Sequence, residues 1–441
     1  MGGLAVLARQ AGYRVTGCDA NVYPPMNTQL SEQGIELIDG YGTDQLALKP
    51  DLWVVGNVVT RGNPLMEAIL DRAEAFVSGP EWLARSILRG KWVLAVSGTH
   101  GKTTTSSILA WILEDLGYKP GYLIGGIPKN FGTSARLTQA PVFVIEADEY
   151  DTAFFDKRSK LVHYPAKTTV LNNIEFDHAD IFADLDAIET QFHHFVRILP
   201  ASGLIVANGV DPAVARVLQR GCWTPIEKFG LDDGWHAVGL YDNAFEVHLG
   251  PTSLGRVNWE LSGKHNRMNA LAAIAAARHV GAEPSKAIDA LSRFRGVKRR
   301  MEVRGRAAGV TVYDDFAHHP TAIAASIEGL RRAVNGERIL AILEPRSNTM
   351  KLGVMKDALP DSLAGADRVY CYARDLDWDA RTALAALGAK AACLQDLDTL
   401  VSDIVAEARE GDHVLVMSNG AFGGIHGQLL AALERRGRAG V

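Results

Sequence analysis

The chain has 441 residues, 47% of them hydrophobic and 22% charged, with a formal net charge of −5 and a pI near 6.2. That length exceeds one ordinary core and calls for two to four domains, and the composition is that of a globular protein rather than a disordered or fibrous one. The charge balance leaves no basic footprint for nucleic acid, and no apolar run reaches the length of a membrane span. The start Met1-Gly2-Gly3-Leu4 lacks the basic and apolar segments of a signal peptide. Cys18, Cys222, Cys371 and Cys393 lie far apart without metal-ligand spacing, which predicts unpaired thiols in a cytoplasmic protein.

In chain order, residues 4–10 predict a helix stopped by Gly12, and residues 13–18 a strand ending at Asp19. Residues 51–56 and 76–78 predict two further strands of a small first unit. Residues 91–96 predict a strand that runs straight into a glycine loop, followed by a helix with Ile108, Trp111, Ile112 and Leu116 on its core face and Gly117 as its stop. Strands follow at 142–145 and 168–171. Residues 200–261 read as strands and turns with few helical patterns, and helices return at 269–280 and 284–294. A last unit has strands at 310–313, 338–343, 368–371 and 413–417 with helices between. The alternation predicts an α/β protein with parallel sheets, in units of 1–90, 91–298 and 299–441.

Five constellations carry chemistry. The first is the loop Gly98, Thr99, His100, Gly101, Lys102, Thr103 and Thr104, placed between a strand and a helix. Glycines let backbone N–H groups wrap a phosphate, and the helix adds the positive end of its dipole. Lys102 would reach the outer phosphates of ATP and Thr103 would offer its hydroxyl to Mg²⁺. The usual eight-residue loop has a glycine where this chain has Val96, so the match is off by one residue.

The second is VFVIEADEYD, an apolar strand that delivers Glu146 at its carboxyl end, followed by Asp148, Glu149 and Asp151. Carboxylate oxygens of this kind suit Mg²⁺ held jointly with nucleotide phosphates, although such a run is also an ordinary solvated turn. The third, TTVLNNIEFDHADIF, places Asn172, Asn173, Asp177 and His178 just past another strand, where His178 is either a functional group or a surface residue. The fourth, SGKHNRMNALAA, sets His265, Asn266 and Asn269 before an alanine-rich helix, as caps or as contacts to a nucleotide. The fifth joins Arg299 and Arg300 at a unit boundary to Asp314, Asp315, His318 and His319 before Pro320.

GTHGKTTT, EADEYD, NNIEFDH, GKHNRMNA and DDFAHHPTA, in this order, resemble the Mur ligases of peptidoglycan synthesis, and the resemblance covers essentially the whole chain. It implies three domains: a Rossmann-like UDP-sugar domain, a central P-loop ATPase domain and a C-terminal Rossmann-like domain for the incoming amine. The phrases NVYPPMNTQL, TRGNP, DEYDTAFFDKRSK, DHADIF, EPRSNTMK and SNGAFGGIH point to the branch that adds a peptide in peptidoglycan recycling. The implied substrates are UDP-N-acetylmuramate and the murein tripeptide L-alanyl-γ-D-glutamyl-meso-diaminopimelate. The implied reaction phosphorylates the lactyl carboxylate with ATP and lets the tripeptide amine displace phosphate. By the same resemblance Lys102 stabilises the transferring phosphoryl group, and Thr103, Glu146 and His178 hold Mg²⁺. Asn266 and Asp315 contact the adenine nucleotide, Arg300 reaches phosphate from the hinge, and Asp19 meets the uridine ribose. For the amine substrate, Arg346 is the leading carboxylate clamp, with Ser347, Asn348 and Asn419 beside it.

Two features depart from the family pattern. The family's first strand and most of its first glycine loop would precede Met1, which predicts a misassigned start or a clipped chain. Residues 191–194 hold no lysine where several relatives carry a carbamylated one. Two other readings stay open: L-alanine as the amine, and a P-loop ATPase or switch that makes no amide.

Overall fold

The apolar run Trp92–Ser97 is buried on both faces, and the central unit is built around it. Val93 and Ala95 join one hydrophobic cluster with Ile188, Phe192 and Phe195 of the helix Leu185–Ile198. Leu94 and Val96 join another, with Ile108 and Ile112 of the helix Lys102–Asp115 and the alanines of the helix Lys264–His279. The neighbouring strand Val142–Ala147 alternates in the same way, Val142 and Val144 to one side and Phe143, Ile145 and Ala147 to the other. A strand covered on both faces reads as a continuous apolar run, which is why these were visible in sequence. The computed structural model describes residues 1–20 and 26–439, so residues 21–25 of the NVYPPMNTQL phrase lie outside the described residues.

The central sheet has ten strands, with Trp92–Ser97 between Ala166–Leu171 and Val142–Ala147, parallel to both. The chain leaves this strand toward Gly121–Leu123 on one side and leaves its neighbour Ala166–Leu171 toward Leu204–Asn208 on the other, so the carboxyl ends of the pair form a topological switch point. Beyond Ala166–Leu171 come Leu204–Asn208 and Ile226–Phe229, then an antiparallel extension of Trp235–Tyr241, Ala244–Leu249 and Thr252–Asn258. The helix Pro212–Gln219 interrupts this strand-rich region, with Asp211 as its cap accepting from Ala213 N and Val214 N.

The C-terminal sheet runs Glu302–Ala307, Val310–Asp315, His413–Met417, Ile339–Leu343, Arg368–Tyr372 and Ala391–Leu394, and only the Glu302–Ala307 edge is antiparallel. Its two faces separate Ile339, Ala341 and Leu343 from Leu340 and Ile342. The edge strands Glu302–Ala307 and Ala391–Leu394 escaped sequence reading for different reasons: EVRGRA has no apolar run, and AACL is a short, half-buried stretch low in β-branched and aromatic residues.

In the N-terminal unit the described strands form two separate parallel pairs, Thr16–Asp19 with Glu36–Asp39 and Trp53–Val55 with Phe76–Ser78. The first helix is Gly2–Gln10. Its strand begins at Thr16 rather than at residue 13, since Tyr13 instead packs edge-on against Trp82 at 5.7 Å. Among the described residues no helix is long and apolar enough to cross a membrane. All four cysteines are free, yet Cys371 and Cys393 are register partners on paired strands.

Candidate active site

Register brings three strand ends together. Ser97 lies alongside Ala147 on one side and Leu171 on the other, so the glycine loop, Glu146 and Asn172 emerge at one edge. The loop turns at Gly101, whose φ of 77° lies in the left-handed region that favours glycine. A Cβ there would also meet Asn172 Nδ2 and Asn269 Oδ1 at 2.5 Å.

Asparagine amides shape the loop from behind. Asn173 Oδ1 accepts from His100 N at 2.7 Å, and Asn172 Nδ2 and Asn173 Nδ2 donate to His100 O at 2.9 and 3.0 Å. Asn269 Oδ1 accepts from Thr105 Oγ1 at 3.0 Å and from Asn172 Nδ2 at 3.2 Å, while Asn269 Nδ2 donates to Asn266 Oδ1 at 3.3 Å. This corrects the expectation that Asn266 and Asn269 precede their helix. The helix is Lys264–His279, Gly263 caps it without a side-chain bond, and both asparagines are buried within its first turns. The alanines that follow let this helix lie close against Lys102–Asp115, which carries the amide chain to the loop.

The charged groups form one network. Lys102 Nζ donates to Gly98 O at 2.7 Å, Thr99 O at 3.2 Å and Glu149 Oε2 at 2.8 Å. Desolvation alone would lower its pKa, but the carboxylates of Glu149, Asp148 and Glu146 outweigh it and hold the ammonium above its usual value. His178, in a left-handed backbone (φ 53°), sets its Nε2 3.5 Å from Glu149 Oε1. Burial would lower the imidazole's pKa, and Glu149 and Asp177 reverse this and raise it.

Thr103 Oγ1 donates to Glu146 Oε1 at 2.7 Å, and Gly125 N donates to Glu146 Oε2 at 2.6 Å. Burial and then Asp148 push the Glu146 carboxyl up, against the pull of Lys102. Arg300, from the junction, places Nη2 3.4 Å from Thr103 Oγ1 and its guanidinium 5.0 Å from the centre of the Phe316 ring. Thr104 is buried in the same first helical turn. Glu149 Oε1 is buried without a hydrogen-bond partner. An acid-rich pocket with hydroxyl, carboxylate and imidazole ligand atoms, one buried carboxylate oxygen having only a long 3.5 Å contact to that imidazole, has the chemistry of a divalent-cation site.

A second edge faces this one. In the C-terminal sheet Asp315, Met417 and Leu343 are aligned, so their following residues share one end. Asp315 accepts from Met301 N and Ala317 N at 2.8 Å and from Ser326 Oγ at 3.1 Å, and so holds the junction at Met301, itself at φ 49°. Arg346 stands 3.9 Å from Glu344 Oε1, and its side chain occupies the space a Cβ at Gly420 would need. Ser347 caps the short helix Asn348–Lys351, and Asn348 Nδ2 donates to Asp180 Oδ2 at 2.7 Å. Asn419 Oδ1 is buried without a hydrogen-bond partner. Asp19 lies in the N-terminal unit at the carboxyl end of its strand, where its carboxylate hydrogen-bonds Tyr41 and, after burial, raises that phenol's pKa.

Sequence reasoning missed Glu149 as the partner of Lys102, because three acids within four residues give no cue to which one faces the loop. It also missed Glu175. Its Oε2 lies 3.2 Å from His100 Nε2 and 3.5 Å from His319 Nδ1, and accepts from Thr321 Oγ1 at 2.6 Å. His319 Nδ1 accepts from Thr321 N at 3.3 Å and its Nε2 meets Phe176 O at 3.2 Å, so the Glu175 bonds to His100 and Thr321, with His319 packed beside them, clasp the phosphate loop to the C-terminal unit.

Burial would raise the Glu175 pKa, but the bond and charge of His100 and the bond from Thr321 lower it to about 2. A carboxyl depressed in the folded state contributes stability above its unfolded value of about 4.3 and loses it as pH falls toward 2. Glu175→Gln is therefore expected to flatten the fall of the unfolding midpoint between about pH 4.5 and 3. Identical acid limbs in both proteins would remove this contribution.

Fold and site together define a three-unit P-loop protein whose phosphate loop, acidic cluster and facing α/β edge converge between units. The Mur ligase family catalytic domain matches residues 1–91, the Mur ligase middle domain residues 96–277, and the Mur ligase glutamate ligase domain residues 299–420. The chain belongs to the Mur ligase family.

It is 54% identical over 443 residues to the UDP-N-acetylmuramate–L-alanyl-γ-D-glutamyl-meso-2,6-diaminoheptandioate ligase of Escherichia coli K12, covering 100% of this chain and 97% of the relative. It is 32% identical to the UDP-N-acetylmuramate–L-alanine ligase of Syntrophomonas wolfei, over 83% of this chain and 78% of the relative. A crystal structure of a murein peptide ligase from Psychrobacter arcticus superposes with a TM-score of 0.78 at 42% identity, covering 98% of this chain and 96% of that one.

Proposed function

We propose that this protein is a cytoplasmic, ATP-dependent ligase of peptidoglycan recycling. It joins the free amine of L-alanyl-γ-D-glutamyl-meso-diaminopimelate to the lactyl carboxylate of UDP-N-acetylmuramate, with release of ADP and phosphate. The observation that carries this reading is end-to-end similarity to a ligase of that substrate set, at 54% identity, against 32% to an L-alanine ligase.

A carboxylate is a poor electrophile, so phosphorylation must come first and supply a leaving group. The charge that develops on the transferred phosphoryl group needs cations already in place. Lys102, held at the loop by two carbonyls and Glu149, supplies such a cation by exchanging one of these bonds for a phosphoryl oxygen, and Arg300 lies against Thr103. The oxygens of Thr103 and Glu146 and the imidazole of His178 would hold Mg²⁺, which when bound neutralises phosphate charge. In the C-terminal unit Arg346 is suited to a carboxylate of the tripeptide, and the unpaired Asn419 Oδ1 to an N–H donor of the incoming amine. Gly98 to Thr104, Asn266 and Asp315 make the nucleotide site, with Asp19 on the uridine side.

ADP release is expected only when UDP-N-acetylmuramate and the tripeptide are both present. Release that continues without the sugar nucleotide would mean an ATPase and would sink the ligase reading. Preference for L-alanine over the tripeptide would move the protein to the other branch.

A further inference from the structure

The hairpin of Asp151–Ala153 and Asp156–Ser159 leaves the central unit and inserts into the N-terminal one. Phe154 packs against the core of Leu46, Val55, Leu65, Met66 and Ile69, and Phe155 meets Phe76 edge-on at 5.0 Å. On its return the chain is fastened under the acidic cluster. Ser159 Oγ donates to Glu149 O, and Ser159 N donates to Gln191 Oε1 at 3.1 Å. Lys160 N donates to Tyr150 O at 3.0 Å and Leu161 N to Asp148 O at 3.1 Å. Lys160 is thereby fixed to the segment that carries Glu146 and Glu149.

Its side chain is only 17% exposed, and its ammonium lies 3.8 Å above the Tyr150 ring centre. Among the described residues Asp148 Oδ2, at 4.0 Å, is its one ion-pair partner, which is beyond hydrogen-bond reach. The other face of this group is the active site, since the Tyr150 ring is 5.2 Å from that of His178. The nucleotide side of the cluster already has its own cation in Lys102. Lys160 therefore offers a held, partly accessible ammonium with N–H donors unspent, where the hairpin joins the N-terminal unit to the acids Glu146, Asp148, Glu149 and Asp151. An anionic group entering from the N-terminal side must pass these carboxylates, and like charges in a partly desolvated cleft repel strongly.

We propose that Lys160 is a substrate-binding residue that receives the carboxylate of the sugar nucleotide, the group to be phosphorylated, and guides it past the acidic cluster. The proposal rests on the ligase reading above. It assigns to the hairpin the task of keeping this cation in register with both units.

The test is Lys160→Met beside Lys160→Arg in the full-length protein. Lys160→Met is expected to raise the KM for UDP-N-acetylmuramate about tenfold, the loss of one charge-assisted contact, and to leave those for ATP and tripeptide within about twofold. Lys160→Arg, which keeps the charge, is expected to recover most of the loss. Inhibition by UDP, which has no carboxylate, should be unchanged by Lys160→Met and reports that the variant is folded. An unchanged KM for UDP-N-acetylmuramate, an equal rise in all three, or a parallel weakening of UDP would each overturn the proposal, the last by assigning Lys160 to the diphosphate. Failure of the ligase reading itself would show separately, as wild-type ADP release that ignores the sugar nucleotide.

Discussion

Lys102→Ala is expected to lower turnover by about a thousandfold, the effect of removing one preorganised charge from a phosphoryl-transfer site. It is also expected to destabilise the protein. Glu149 is 2% exposed at its side chain, and Lys102 is its 2.8 Å partner. Removing one member of a buried ion pair leaves an uncompensated charge, at a penalty of about 3–5 kcal/mol. The two effects separate in the double variant Lys102→Ala/Glu149→Gln, where the unpaired charge is gone but the phosphoryl group still lacks its cation. Unfolding midpoints should recover there while ADP release stays at the level of the single variant. A single variant as stable as the wild type, or a double variant that regains turnover, would contradict this account of the pair.

The second large effect is expected at Arg346. If its guanidinium clamps a carboxylate of the tripeptide, Arg346→Ala should raise the KM for the tripeptide about a hundredfold, in line with the loss of a charge-assisted pair. The KM values for ATP and UDP-N-acetylmuramate should hold. Lysine should rescue poorly, because a point charge cannot reproduce a bidentate fork. Gly420→Ala offers an independent route, since its new methyl would displace the Arg346 side chain. Steady-state kinetics with each substrate varied in turn will decide, and an unchanged tripeptide KM in both variants would put the clamp elsewhere.

The phosphate loop was legible because its requirements are local: glycines for the turn, a lysine and threonine at the helix start, an apolar strand before them. Glu146 and His178 stood out for a related reason: Glu146 lies at the carboxyl end of Val142–Ala147 and His178 beyond that of Ala166–Leu171, and strand ends at a switch point face one crevice. Asn266 and Asn269 were misplaced because their helix begins at Lys264 with polar residues, and its amphipathic pattern gives way to alanines buried all round. Two structural neighbours, Cys371 and Cys393, gave no sign of their proximity in the chain. Nor does the spacing of DEYDTAFFDKRSK reveal that its two phenylalanines enter another unit's core.

The turn of the glycine loop, the order of the signature phrases and the central strands of both large sheets were legible in the sequence alone. Each rests on backbone conformation or on hydrophobic periodicity within about ten residues, which the local chain carries in full. Only the tertiary structure decided that Glu149 rather than its acidic neighbours holds Lys102, that Glu175 clasps His100 to the C-terminal unit, and that Lys160 stands over Tyr150. Those are choices among chemically equivalent groups. They are settled by which strands become neighbours, in which register, and by the desolvation that makes one pairing far stronger than the others.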